Sequence, residues 1–115
     1  MRGFNNATLV GTLTKDPEAK NINDVKKTTF TLAVERPYKN KEGEKETDFI
    51  NISAWRKLAD ICDEYLVKGK RVLISGRIQT HTYEQDKVTK WFTEVIADDM
   101  TMLSFPQKKK EKEAA

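Results

Sequence analysis

The sequence predicts an all-β domain: five strands curled into a barrel, with one helix between the third and fourth. Three observations carry that prediction. Five stretches of the 115-residue chain alternate apolar and polar side chains with a period of two. One stretch, Leu58 to Leu66, changes to helical spacing. Gly, Pro, Asn and Asp gather between these stretches, where the chain must turn.

Length and composition set the frame. A chain of 115 residues with 37% hydrophobic residues suits one domain with a single core. Its lone cysteine excludes an intrachain disulfide framework and fits a reducing compartment. No apolar run reaches the length of a membrane span, and the N-terminus lacks a signal-peptide core. These features predict a cytoplasmic protein with no membrane partner. The formal net charge is +3, but residues 108–113 contribute four lysines and two glutamates to it. The 107 residues before them hold 17 basic and 16 acidic side chains, so bulk charge does not advertise nucleic-acid binding. Any such function must come from where the charges sit. Residues 1–105 read as the domain and 106–115 as a short charged tail.

Residues 8–14 form the first strand, with Leu9, Gly11 and Leu13 facing one way and Val10 and Thr12 the other. Gly11 marks a bend or a close backbone approach. Lys15-Asp16-Pro17-Glu18 and Asn21 to Asp24 read as turns. The second strand, Thr28 to Arg36, places Phe30, Leu32 and Val34 on its apolar face. Pro37 ends regular pairing and Tyr38 follows at the exit. The charged run from Lys39 to Glu46, built around Gly43, reads as the tip of a long hairpin. Lys39 and Lys41 lie beside Tyr38.

The third strand, Thr47 to Trp55, is the most informative. Ile50, Ile52 and Ala54 share a face fit for burial, while Phe49, Asn51, Ser53 and Trp55 share the other. A wet face should be polar, yet this one carries a large aromatic at each end. The two rings stand roughly 20 Å apart at a strand rise of about 3.3 Å per residue. Flat rings set among small polar groups suit the stacking of nucleobases; a covering helix or a second subunit is the alternative.

Leu58, Ile61, Cys62, Tyr65 and Leu66 then define one face of a helix, with Gly69 expected as its cap. Cys62 falls on the apolar face and reads as core. The fourth strand, within residues 70–83, sends Val72, Ile74 and Ile78 inward. Arg71, Leu73, Ser75, Arg77, Gln79, His81 and Tyr83 point outward, with Gly76 interrupting the inner set as a coiled barrel strand requires. Glu84 to Thr89 makes a second hairpin. Lys90 to Ala97 is the last strand, in which alternation leaves open whether Trp91 or Phe92 is buried. A single helix between the third and fourth of five strands is the order of a five-stranded OB-fold barrel.

The chain also resembles bacterial-type single-stranded DNA-binding proteins from Asn6 to Leu103. The resemblance rests on Leu9-Val10-Gly11 with Asp16-Pro17-Glu18, on Phe30-Thr31-Leu32-Ala33-Val34 and on Thr47-Asp48-Phe49-Ile50 through Trp55. Lys57-Leu58-Ala59, Glu64-Tyr65-Leu66-Val67-Lys68-Gly69, Gly76-Arg77-Ile78-Gln79-Thr80 and Thr93-Glu94-Val95 complete it. The resemblance implies sequence-tolerant binding and protection of single-stranded DNA during replication, recombination and repair. It implies base stacking on Tyr38, Phe49, Trp55 and Tyr83, two of which the alternation singles out independently. Phosphates would fall to Lys57, Lys68, Arg71 and Arg77, with Arg36 and Lys41 behind them. It further implies a homotetramer with no cofactor and no metal.

Three departures stand out: His81 and Thr12 where arginine is common, and an end at Lys-Lys-Lys-Glu-Lys-Glu-Ala-Ala. Relatives end in an acidic tip that recruits repair and replication enzymes, so that property is not carried over. The cell implied is bacterial, with a chromosomal, phage or plasmid gene equally compatible. An enzyme is disfavoured by one histidine, one cysteine and no nucleophile or metal-ligand motif. The remaining alternative is a primosome-type accessory protein that uses the barrel mainly for protein contacts.

Overall fold

Alternation along β3 (Val25–Lys39) and β4 (Lys45–Trp55) builds the centre of the domain. A computed structural model of the chain describes residues 2–104; the tail expected from Pro106 onward, and Phe105 at the expected domain end, lie outside the described residues. The two strands pair antiparallel with Phe30 opposite Ile52 and Leu32 opposite Ile50, which stacks their apolar faces in register. β1 (Ala7–Leu13) pairs with β5 (Arg71–Gln85), and β5 pairs with β6 (Val88–Met102). β6 meets β4 in a short parallel contact at Ile52↔Val95 and Ser53↔Ile96, and β1 meets β3 at Thr12↔Ala33 and Leu13↔Leu32. Following β1 to β5, β6, β4, β3 and back to β1 returns to the start, so these five strands form a closed circuit with no free edge. Helix α1 (Arg56–Tyr65) falls between the third and fourth of them, as the sequence predicts.

One strand escapes sequence reading. β2 (Glu18–Ile22) pairs with the start of β3 in register Glu18↔Thr29 to Ile22↔Val25, in a region expected to be turns. All five of its residues are exposed, so it has no apolar side to alternate with a polar one. Asn23 and Asp24 join it to β3 with φ of 51° and 64°, the left-handed pair of a tight hairpin turn. Asp86 and Lys87, at 53° and 63°, do the same between β5 and β6. Pro37 does not end its strand. The β3–β4 register shifts between Glu35 and Lys39, and that irregularity accommodates a residue with no N–H to donate.

The core gathers Leu13, Leu32, Ile52, Leu66, Val72 and Ile74, each at most 2% exposed. α1 closes one end of the barrel with Ala59 and Cys62, both fully buried. The buried Thr28 hydroxyl donates to the Ala59 carbonyl at 2.8 Å, fixing the helix to β3. The expected helical stripe is rotated: Ile61 is exposed, and Ala59 takes its place inside. Gly69 is not the helix cap either. Leu66 ends the helix with an extended backbone, its N–H bonded to the Cys62 carbonyl. Gly69, at φ 90°, instead turns the chain into β5 and donates to the Leu13 carbonyl at 2.9 Å. Among the described residues no helix is long and apolar enough to cross a membrane.

Candidate nucleic-acid interface

The outer face of β4 is open at Phe49 and Asn51, but Ser53, expected on the same wet face, is only 2% exposed because it bonds Glu94 of β6. Phe49 is 67% exposed. Its register partner on β3 is Ala33, whose methyl group is too small to cover a phenyl ring. Asn51 is exposed beside it, and Trp55 at the far end is half-buried. Lys27, the register partner of Trp55, holds its ammonium 5.1 Å from the ring centroid, a cation–π distance. Trp55 and Arg77 also line one cleft with Ile96 and Asp98, which brings a predicted phosphate ligand to a predicted stacking ring.

A hydrogen-bonded bridge joins this face to the β5–β6 arm. The Ser53 hydroxyl donates to one oxygen of Glu94, and His81 Nε2 lies 2.6 Å from the other. Glu94 is only 4% exposed, so both of its oxygens are satisfied in a nearly water-free position. Cross-strand partners share a face. The pairs Gln79↔Glu94, His81↔Phe92 and Tyr83↔Lys90 therefore continue the outer face of β4 along the arm. Tyr83 stands on it 48% exposed. The open question of Trp91 against Phe92 resolves as neither: Phe92 is 41% exposed on the outer face, and Trp91 is 70% exposed on the opposite one. The arm projects beyond the barrel, so residues that alternate inward, such as Ile78, also meet solvent.

Tyr38 is exposed on the other hairpin, within the β3 irregularity between Glu35 and Lys39. Its neighbour Arg36 differs from the other predicted phosphate ligands. The guanidinium sits 3.0 Å from Asp48 and also bonds Glu46. Hydrogen bonding to Arg36 holds the Asp48 carboxyl below its usual range, and Asp48 in turn raises Arg36. With two carboxylates on it, Arg36 offers a phosphate little net charge. Lys41 is exposed at a hairpin tip ordered by Asn40, whose side-chain oxygen accepts from Glu42 and Glu44 N–H. Lys57, Lys68 and Arg71 are exposed around the helix end of the barrel. Arg77 is exposed with Asp98 at 3.7 Å. The structure therefore groups Phe49, Trp55, Tyr83 and Arg77 along one face, and leaves Tyr38 and Lys41 on a hairpin of their own.

Sequence reading missed Lys27 and Phe92. Lys27 becomes visible only when the register places it opposite Trp55, and Phe92 only when the arm clears the barrel. Among the described residues no group of three His, Cys, Asp or Glu side chains could hold a metal ion.

Comparison with known proteins adds a second line of evidence. The model of the single-strand binding protein family matches residues 4–103. A single-stranded DNA-binding protein of Caldanaerobacter subterraneus subsp. tengcongensis is 49% identical over 102 residues, covering 87% of this chain and 68% of that protein. One of Halalkalibacterium halodurans is 46% identical over 102 residues, covering 87% of this chain but 61% of its own length. Among solved structures, a Plasmodium falciparum SSB in complex with ssDNA superposes with a TM-score of 0.80 at 26% identity, covering 90% of this chain and 98% of that one. The barrel circuit, the open aromatic face and the match over residues 4–103 agree: the chain belongs to the single-strand binding protein family.

Proposed function

We propose that this chain binds single-stranded DNA with little sequence preference and coats it during replication, recombination and repair. The observation that carries the reading is the exposure of Phe49 at 67% on a strand face that runs, through Ser53, Glu94 and His81, to Tyr83. An exposed ring among small polar groups presents a π-face, which every base can stack on, at about 1–3 kcal/mol per base. Phe49, Trp55 and Tyr83 take bases along this face, and Tyr38 takes one at the neighbouring hairpin. Lys41, Lys57, Lys68, Arg71 and Arg77 hold phosphates, with Arg36 contributing least because Asp48 and Glu46 neutralise it. Solved and curated relatives named as single-stranded DNA-binding support the same reading. The protein acts without catalysis, in the bacterial cytoplasm, as a homotetramer of barrels.

Duplex DNA hides its base faces, so it should compete poorly. Labelled oligo(dT) bound to the protein is challenged with equal nucleotides of unlabelled oligo(dT) or duplex. Displacement by the single strand alone is the expected result; equal displacement by both contradicts the reading.

A further inference from the structure

Phe92 lies where the aromatic path would otherwise break. Between Ser53 on β4 and Tyr83 on β5 the outer face carries only Glu94, His81 and Gln79 besides Phe92. A strand crossing from Phe49 and Trp55 to Tyr83 must pass this polar stretch, and Phe92 is the ring that interrupts it. Its ring stands tilted by 36° against His81, with centroids 6.1 Å apart, so His81 props one side of it. It remains 41% exposed.

The space in front of Phe92 has the size and chemistry of a base site. A cleft of about 280 Å³ lies between the arm, the β3–β4 face and the β1–β2 connection, where Lys27, Asn51, Ser53, Phe92 and Glu94 share the lining with Lys15, Asp16 and Glu18. At about 30 Å³ of liquid per water, that volume holds far more than a bridging solvent molecule. The exposed Phe92 ring, the Asn51 amide, the Thr29 and Ser53 hydroxyls and the Lys15 and Lys27 ammoniums form the setting in which a flat heterocycle stacks while its edge stays hydrogen-bonded. A phosphate fits worse, because the carboxylates of Asp16, Glu18 and the nearly buried Glu94 sit in the same lining.

We propose that Phe92 is a fifth stacking residue and that this cleft receives one nucleobase of the bound strand. The proposal rests on the reading of the outer face as a single-stranded DNA site. It extends the contact path from β4 onto the arm without a gap.

The test measures affinity for labelled oligo(dT) of the parent, Phe92→Ala, Phe92→Trp and Phe49→Ala, each with its thermal midpoint. Loss of a stacking ring should weaken binding about 5- to 150-fold in Phe92→Ala, and Phe92→Trp should stay within about twofold of the parent. Since Phe92 is exposed, the midpoints should stay near the parent's; if Phe92→Ala does not fold, Phe92→Leu replaces it. Ultraviolet crosslinking of bound oligo(dT), mapped by mass spectrometry, should place an adduct on Phe92. Parent-like affinity of Phe92→Ala beside a weakened Phe49→Ala overturns this inference and leaves the wider reading standing. So do adducts on Phe49 and Tyr83 with none on Phe92. A parent protein that does not bind oligo(dT) at all overturns both.

Discussion

Replacing Gly76 with alanine tests the geometry that aims the β5–β6 arm. Gly76 pairs with Ala97, while its neighbour Ser75 pairs with Asp99, so Asp98 is one extra residue on β6. Such a bulge bends the ladder and increases its twist. It also brings the β6 backbone hard against Gly76. A methyl group there would overlap the Ile96 carbonyl oxygen and stand 2.9 Å from its carbon and 3.0 Å from Ala97 Cα. All three obstacles are backbone atoms, held by pairing with β5 and, at Ile96, with β4. Relief must move a strand rather than a side chain, which puts the cost near the upper end of the about 1–3 kcal/mol typical of overpacking. Alanine recovers about 0.4–1 kcal/mol by restricting the unfolded chain, leaving a net loss of about 2 kcal/mol. For a domain of this size each kcal/mol moves the thermal midpoint about 4–8 °C, so Gly76→Ala should melt about 8–16 °C below the parent. Gly3→Ala is the control, because nothing lies within 4 Å of its added methyl. Scanning calorimetry on the three proteins decides it. A Gly76→Ala midpoint at or above the parent's would refute the close approach and the bulge that imposes it.

Three further outcomes follow from charge and burial. Burial pushes the Cys62 thiol up to about 12, so it stays protonated at pH 8; a thiol reagent should label folded protein far more slowly than protein in denaturant, and equal rates would show that Cys62 is not core. Because the folded value lies above the ordinary thiol value, the thiol takes nothing from stability below about pH 8.5. Stability should then decline as pH rises from there toward the folded value. For DNA, each lysine or arginine that neutralises a phosphate contributes about 0.7 to the slope of log affinity on log salt. Lys57→Gln should lower that slope by about this amount, while Arg36→Gln, already neutralised by Asp48 and Glu46, should leave it unchanged; equal reductions would show that Arg36 releases its carboxylates to bind.

What the sequence could and could not express follows from where each residue meets water. Alternation reads β4 correctly except at Ser53 because one side of it is barrel core: Ile52 and Ala54 are buried and Phe49 is exposed, while Ser53 on the outer side is buried against Glu94. The same rule fails along the arm, where both faces are wet and inward-pointing Ile78 and Trp91 are exposed like outward-pointing Phe92. β2 is silent for a related reason, since none of its residues contacts the core strongly enough to demand an apolar side chain. Charge is visible in a sequence but its partners are not. Arg36 reads as a free cation until register places Asp48 and Glu46 beside it. Lys27 reads as one lysine of many until pairing sets it over Trp55. Helix capping fails at Gly69 because Leu66 is drawn into the core, fully buried, and the chain leaves the helix extended before the glycine is reached.

The central claim is that exposed rings on the outer face bind bases and do not hold the fold together. Phe49→Ala tests it most directly, through affinity for oligo(dT) and the thermal midpoint measured on the same preparation. With Phe49 67% exposed, the account predicts binding weaker by about 1–3 kcal/mol and a midpoint close to the parent's. Unchanged affinity, or the stability loss of about 3–5 kcal/mol expected for truncating a buried phenylalanine, would contradict it.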